Sequence, residues 1–323
     1  MERRSFLAGV ISTPLIMARP TLAQAAEPIK VGVFPVGAAL PYFVALRRGY
    51  FADEGLAPET VLLNTPALIV QSLVSGEIEA AANLVSLEGA NINARRPGTA
   101  HYISLVGQNS EHVFEQFVVR ADHPAQSLAD LKGARLFTSP GPANIATAKA
   151  ILAEVGLADG TDYQMQEQQL GVQIGALQSG NFDGGYTLEP IATAMIKAGI
   201  ARRIEAGVIS TYLLKKPEAD TYAAGAVVSG ALLEGNPDKA ERFARGWFRG
   251  MADVQTDPTV RDYLVSDMNV PEAVKDEVPL AHFVAVRDLT EEQIADFQAF
   301  IDIGVSFGVV PSAVDVTTMV AAL

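Results

Sequence analysis

The chain contains no cysteine among its 323 residues. This absence excludes disulfide frameworks, thiolate metal sites, iron–sulfur clusters and cysteine nucleophiles. Basic residues are also scarce, because Lys and Arg total 24 against 37 Asp and Glu, which gives a formal net charge of −13. No basic run is longer than two residues. The basic face that nucleic-acid binding requires is therefore missing, and we expect no nucleic-acid partner.

The common catalytic and cofactor motifs are missing as well. The sequence has no G-x-x-x-x-G-K phosphate loop and no strand–GxGxxG–helix fingerprint. Its one G-x-S-x-G string, residues 304–308, follows a helical pattern and has no histidine after it, so it indicates a helix end rather than a nucleophile elbow. No two histidines have i, i+3 or i, i+4 spacing; they are His101, His112, His123 and His282. We expect no catalytic residue, no cofactor and no metal site.

Residues 1–25 have the features of an export signal. Two arginines, Arg3 and Arg4, precede a short apolar stretch, and Ala23-Gln24-Ala25 is a small-x-small cleavage site. The run from Arg3 to Leu7 resembles the twin-arginine export motif. We expect cleavage near Ala25 and a periplasmic location, while the choice between the twin-arginine and the general secretory route stays open.

Short β-type runs alternate with helical segments from Ile29 to about residue 230, which favours parallel βαβ units and an α/β fold. After residue 237 the pattern predicts helices only, with apolar stripes on Pro237–Val254 and Ile294–Ser306. The chain is also longer than the ~250–300 residues at which single cores stop growing. We therefore expect two lobes, with the final helices covering the sheet of the first.

Four segments, in order along the chain, resemble those of one family. They are Pro41–Leu56 with its G-Y-F-x-x-E-G-L string, Gln71–Glu79, Ser127–Gly133 with S-L-x-D-L-K-G, and Ala176–Asp183 followed by Leu188-Glu189-Pro190. Together they resemble the periplasmic solute-binding proteins of nitrate/sulfonate/taurine-type ABC importers, a family that also includes binders of thiamine pyrimidine precursors. Thr187 and Leu188 stand where the family often has Val and Trp beside its cleft.

The resemblance implies a two-lobed type II periplasmic binding protein fold, α/β in class, with two crossover strands. Residues 26–115 and 231–323 are expected to form lobe 1, and residues 116–230 lobe 2. It also implies a substrate-binding protein that delivers a small-molecule solute to an ABC permease in the inner membrane. We expect the protein to be a monomer.

Ligands of open α/β sheets bind beyond the carboxyl ends of the strands. The loops at those ends contain the candidate ligand-binding residues, which are Gly37, Tyr42, Asn64, Thr65, Asn83, Gln108, Asn109, Ser139, Gly141, Asn144, Tyr186 and Glu189. The two glycines would let backbone N–H groups approach a ligand. Alternatives remain open, because Asn64, Thr65 and Ser139 could equally be helix caps and Glu189 a first-turn charge.

None of these loops contains Arg or Lys, whereas Glu189 can accept hydrogen bonds from an ammonium group or an amino-heterocycle. We therefore expect a small neutral, zwitterionic or weakly anionic organic solute, taurine-like or amino-pyrimidine-like, that is bound and not chemically changed. Two other functions stay open at this point. One is a ligand-sensing subunit for a membrane receptor, and the other is an enzyme on the same scaffold.

Overall fold

The computed structural model describes residues 25–323. Residues 1–24, which include nearly all of the expected export signal, lie outside the described residues. Within residues 25–323, no helix combines the length and the apolar character that crossing a membrane requires.

The described residues form strands and helices that alternate over most of the chain. The strands are β1 (Glu27–Val33), β2 (Leu56–Leu62), β3 (Ala80–Val85), β4 (Ala100–Gln108), β5 (Glu115–Arg120), β6 (Arg135–Thr138), β7 (Gln164–Glu167), β8 (Gly184–Leu188), β9 (Ala201–Ala206), β10 (Thr221–Ser229) and β11 (His282–Ala285). The α-helices are α1 (Leu40–Arg47), α2 (Tyr50–Asp53), α3 (Pro66–Ser75), α4 (Ser86–Arg95), α5 (Pro142–Glu154), α6 (Leu170–Gln178), α7 (Ile191–Lys197), α8 (Val208–Tyr212), α9 (Gly230–Gly235), α10 (Pro237–Thr256), α11 (Asp262–Met268) and α12 (Glu291–Ser306).

The strands form two sheets that share one design. The first has the order β11-β4-β10-β3-β1-β2 and the second the order β7-β6-β8-β5-β9. Each sheet contains one antiparallel strand in its interior: β10 runs antiparallel to β3 and β4, and β5 runs antiparallel to β8 and β9. The chain passes between the sheets twice, through residues 109–114 and through residues 213–220. We call these two segments the hinge connections. The expected α/β fold with two crossover strands is thereby confirmed.

The final section differs from the sequence-based expectation in two places. Strand β11 pairs with β4, although the pattern after residue 237 predicts only helices. With four residues, β11 is too short to show a clear alternating pattern. Strand β10 lies inside the first sheet, although residues 116–230 were expected to form one lobe. Its Ala- and Val-rich sequence indicates a buried strand but carries no information about which sheet accepts it.

Helix α10 covers the first sheet with a continuous apolar face. Trp247 is fully buried, and its Nε1 donates a hydrogen bond to Ser104 Oγ of β4 at 2.9 Å. Phe243 stacks on Phe51 with ring centroids 5.2 Å apart. The absence of a side chain at Gly250 lets α10 approach α1, because a Cβ there would lie 2.3 Å from the carbonyl oxygen of Pro41. The helix therefore packs backbone to backbone at this crossing.

We expect Gly250→Ala to lower the free energy of unfolding by about 1–3 kcal/mol, because the added methyl group overpacks the contact between α1 and α10. Gly175→Ala in α6 is the matched control, since a Cβ at that position meets nothing within 4 Å. The control should leave the stability unchanged or raise it by up to ~1 kcal/mol, as Ala favours helix more than Gly does. Urea denaturation followed by circular dichroism measures both. Equal effects of the two substitutions would contradict the close packing of α10 on α1.

Candidate functional site

A narrow cavity lies between the two sheets, at the carboxyl ends of β1, β3 and β8. Its volume is only about 20 Å³, which is room for about one water molecule in this arrangement of the sheets. Its lining consists of Phe34, Val36, Ala38, Pro66, Asn83, Val85, Phe114, Glu115, Asn144, Leu188 and Ala224. Both sheets contribute to this lining, so a molecule in the cavity would contact both. A larger groove of about 500 Å³ lies at residues 216–222 and 292–296 on an open, charged surface, and it lacks this enclosure.

The two sheets already touch beside the cavity. The Gly37 N–H, from the first half, donates a hydrogen bond to the carbonyl oxygen of Glu189 at 3.1 Å. Gly141 has a φ of +111°, and a Cβ there would lie 2.9 Å from Glu88 Oε1 across the interface. Both glycines therefore permit a close approach at this interface, while their expected approach to a ligand stays a prediction. The group that approaches each of them in this structure belongs to the opposite half of the protein.

Asn83 and Asn144 are the predicted residues that line the cavity. Asn83 is held by the backbone of Phe34, whose N–H donates to Oδ1 at 3.1 Å and whose carbonyl accepts from Nδ2 at 3.0 Å. Asn144 donates from Nδ2 to the Pro140 carbonyl at 2.7 Å, and within residues 25–323 its Oδ1 receives no hydrogen bond. Asn144 Oδ1 is therefore the amide oxygen best placed to accept a hydrogen bond from a ligand.

Four other predicted residues lie away from the cavity lining. Tyr42 is fully buried, with its hydroxyl 2.7 Å from Thr60 Oγ1. Thr65 caps α3, since its side chain accepts a hydrogen bond from the Leu68 N–H, and Asn64 is exposed. Ser139 is fully buried, and its Oγ has no hydrogen-bond partner within residues 25–323. Of the helix-cap alternatives left open by the sequence, the structure shows the one for Thr65.

Glu189 is buried behind the cavity and is bonded to its own half of the protein. Its Oε1 accepts a hydrogen bond from Gln116 Nε2 at 2.7 Å, and its Oε2 accepts one from the Thr193 N–H at 3.2 Å, in the first turn of α7. Arg203 lies 3.5 Å from the same carboxylate. Burial raises the pKa of Glu189, and these hydrogen bonds oppose the increase. This carboxylate links α7 to β5, and both of its oxygens already accept hydrogen bonds from the protein.

Glu115 is a lining residue that the sequence reasoning missed. It begins β5, is buried, and accepts a hydrogen bond from the Tyr186 hydroxyl, so Tyr186 reaches the cavity through it. Its backbone N–H donates to Gln108 Oε1 at 2.8 Å. Burial raises the pKa of Glu115 from 4.5 to about 7. A glutamate just before the apolar run Phe117–Val119 was the signal in the sequence that pointed to it.

The remaining lining is apolar, with Phe34, Phe114 and Leu188 as its largest members. Phe34 directly follows β1, Phe114 directly precedes β5 and Leu188 ends β8, and the sequence did not distinguish them from core residues. Among the lining residues of the described chain there is no Arg or Lys, and Glu115 is the ionisable group. The cavity therefore suits a compact molecule with an apolar body and a few hydrogen-bonding groups.

A second carboxylate, Glu88 of α4, lies at the interface between the sheets. It is buried, and within residues 25–323 neither of its oxygens has a hydrogen-bond partner. Burial raises its pKa to about 7, while the nearby amide of Ala143 at the start of α5 opposes this increase. Glu88 lines a shallow apolar pocket together with Val70, Pro142 and other residues. Closing the cleft therefore places this group against the amino terminus of α5.

Comparisons with known proteins agree with this architecture. A model of the NMT1/THI5 like family matches residues 38–260. The riboflavin-binding protein RibY of Chloroflexus aurantiacus is 24% identical over 284 residues, which cover 87% of this chain and 76% of RibY. The alkanesulfonate-binding protein SsuA of Xanthomonas axonopodis, solved with bound MOPS, is similar with a TM-score of 0.73 at 18% identity, covering 92% of this chain and 99% of SsuA. The periplasmic nitrate-binding protein NrtA of Synechocystis has a TM-score of 0.69 at 12% identity, covering 90% and 84% respectively. These findings confirm the resemblance inferred from the sequence.

We expect Glu115 to make the protein less stable as the pH rises. Its carboxyl group titrates near 4.5 when unfolded and near 7 when folded, so the folded state holds the proton more tightly between these values. The resulting loss of stability develops from pH 4.5 to above 7 and reaches about 3 kcal/mol, at roughly 1.4 kcal/mol for each unit of pKa.

Glu115→Gln removes this titration, so its stability relative to the native protein should increase over the same pH range. Thermal and urea unfolding between pH 5 and 8 measures the difference. Glu59→Gln, at an exposed strand position, controls for the loss of one acidic group. Parallel pH profiles of native protein and Glu115→Gln would show that the carboxyl group is not desolvated in the fold.

Proposed function

The chain belongs to the NMT1/THI5 like family, and from this premise we propose that it is the periplasmic substrate-binding protein of an ABC importer. Its solute binds between the two sheets and is presented, unchanged, to a permease in the inner membrane. Support comes from the fold, which is shared with sulfonate- and nitrate-binding proteins, and from a cavity to which both sheets contribute.

The solute that this cavity favours is small, organic and without strong negative charge. The observation that carries this proposal is the lining itself: apolar walls, two asparagines and Glu115, with no Arg or Lys in the described lining. A dianion would lie beside a carboxylate with no cation to compensate for its desolvation. At about 20 Å³ the cavity is far smaller than the ~300–1,000 Å³ typical of small-molecule sites, so the two sheets must move apart to admit such a solute.

Within that class we propose an amino-heterocycle, such as an amino-pyrimidine, in preference to a taurine-like sulfonate. An exocyclic amino group can donate to Glu115 and to Asn144 Oδ1, both of which accept hydrogen bonds. The flat ring can then pack on Phe34 and Phe114. The similarity to a riboflavin-binding protein is consistent with a heteroaromatic solute, although a solute as large as riboflavin would need a wider cleft. Sulfonates would have only backbone amides and asparagine nitrogens to bind their negative charge.

Binding in this position favours the closed arrangement of the two sheets. The solute contacts Asn83 and Phe34 from one side and Asn144 and Glu115 from the other, so its binding free energy is realised fully only when both sides meet. The hinge connections are the two places where the chain can absorb such a movement. A closed, loaded form then differs in shape from the open form, and this difference is what a permease can recognise.

We expect an amino-pyrimidine to raise the melting temperature of the native protein by mass action, and taurine or sulfate to raise it less or not at all.

Asn144→Ala should weaken amino-pyrimidine binding about 3–10-fold, which corresponds to one hydrogen bond between neutral groups. Asn181→Ala, at an exposed position outside the cavity lining, is the matched control and should bind normally. Isothermal titration measures all three proteins. Tightest binding of sulfate, unchanged by Asn144→Ala, would contradict the proposed solute class.

We expect a saturating solute to reduce the radius of gyration, because it shifts the population toward the closed cleft. Small-angle X-ray scattering with and without the solute measures this change. Size-matched compounds that do not raise the melting temperature serve as the control and should cause no compaction. Tight binding without compaction would show that the solute binds to one half only.

A further inference from the structure

Three residues from distant parts of the chain meet at the hinge connections. His112 lies in the first connection, Asp220 ends the second, and His282 is the first residue of β11. His282 Nδ1 lies 2.6 Å from Asp220 Oδ2, and His112 Nδ1 lies 3.8 Å from Asp220 Oδ1. One nitrogen or oxygen atom from each residue lies within 4.8 Å of those from the other two. The group is separate from the cavity described above.

The surrounding sequence makes room for this group and orients it. Gly107 of β4 is paired with His282 in the sheet register, and a Cβ on Gly107 would lie 2.6 Å from Asp220 Oδ2. Asn109 then joins two of the three residues. Its Nδ2 donates a hydrogen bond to Asp220 Oδ1 at 2.9 Å, and its Oδ1 accepts one from the backbone N–H of His112 at 2.8 Å. An amide that orients a carboxylate in this way is typical of the outer shell of a metal site.

One buried ring nitrogen in the group has no hydrogen-bond partner within residues 25–323. His112 Nδ1 is enclosed and, within residues 25–323, has no hydrogen-bond partner, since 3.8 Å from Asp220 is too long for a hydrogen bond. Enclosed nitrogen atoms of this kind are normally satisfied by protein, water or an ion. The two histidine rings lie 5.0 Å apart and face the same carboxylate. A cation bound to all three side chains would give His112 Nδ1 the partner that it lacks.

The donor atoms of the three residues have separations close to those around a four-coordinate zinc ion. With bond lengths near 2.0–2.1 Å, the donor atoms around such an ion lie roughly 3.3 Å apart. The observed separations of 2.6 Å and 3.8 Å lie on either side of this value, so shifts of less than about 1 Å would suffice. His112 and His282 are each more than one-third exposed, and Asp220 borders an open groove, so an ion and a fourth ligand from water have access.

We propose that His112, Asp220 and His282 form a binding site for a divalent transition-metal ion of the Zn²⁺ type. Two imidazole nitrogens and one carboxylate oxygen are ligands that zinc prefers, and calcium and magnesium prefer oxygen alone. The site joins both hinge connections to β11 of the first sheet. A bound ion therefore holds the two crossing points of the chain together, whichever solute occupies the cavity. This proposal does not depend on the proposed function.

The test uses the mature chain without an affinity tag, titrated with zinc chloride in an isothermal calorimeter and with cobalt chloride in an absorption spectrometer. We expect one equivalent of Zn²⁺ to bind, and bound Co²⁺ to show the intense visible bands of four-coordinate cobalt. His112→Ala and His282→Ala should each weaken Zn²⁺ binding about 100-fold or more, since each removes a ligand. His123→Ala, a histidine outside the group, is the matched control and should bind like the native protein.

Circular dichroism and melting curves without metal verify that each variant is folded. The cobalt spectrum of the native chain needs no variant, so it tests the site even if a substitution perturbs the hinge. The proposal is overturned if the native chain binds no Zn²⁺ at micromolar concentration or gives only the weak bands of six-coordinate cobalt. It is equally overturned if His123→Ala loses as much affinity as His112→Ala, because binding would then be spread over surface groups.

Discussion

Two strands that enter a sheet from the other half of the chain hold this structure together. Strand β10 pairs with β3 and β4, and β5 pairs with β8 and β9. A strand in the interior of a sheet has its backbone groups bonded on both sides, and withdrawing it would leave buried N–H and C=O groups without partners. Both crossings are therefore fixed at their ends. Within residues 25–323 the chain joins the two sheets at these two places, and the cleft lies between the sheets beside them.

The interface that results buries two carboxyl groups close to helix and strand ends. Glu88 belongs to α4, which packs on the first sheet, and Glu115 belongs to β5 of the second. Burial raises the pKa of each to about 7. Neither lies beside a basic side chain that would compensate for its charge, in the part of the chain that the structure describes. Closing the cleft desolvates these carboxyl groups, and taking up a proton or accepting a hydrogen bond from a solute reduces the resulting cost, so the three events are linked.

Much of the fold could be predicted from the sequence because it rests on local patterns. Several of its features depend only on residues a few positions apart. They are the cap at Thr65, the capping box of Thr290 and Gln293, and the apolar stripe of α10. The edges of the cleft followed from the same patterns, since loops after parallel strands converge. Sequence reasoning could not decide where a side chain near a strand end points. Asn83 binds the backbone of Phe34, 49 positions away, which no local spacing records.

Residues that act together across the chain were harder still to foresee. His112 and His282 show no metal-ligand spacing, and they meet only because β11 pairs with β4 beside the first hinge connection. The four residues of β11 gave no sign of that pairing. The burial of Glu115 could not be predicted for another reason. A carboxylate that begins a strand is expected to be exposed, and the cover that buries it comes from the opposite sheet. Tertiary contacts decided all of these positions.

The burial of Trp247 determines which structural changes tryptophan fluorescence can detect in this protein. It is the one tryptophan of the chain, and it lies sealed between α10 and β4, with its indole nitrogen bonded to Ser104. Its emission reports whether the core of the first sheet is intact, and the cavity lining does not include it. Tryptophan emission therefore changes on denaturation and is insensitive to the opening of the cleft. A dye or a second tryptophan near the mouth of the cleft is required to measure that motion.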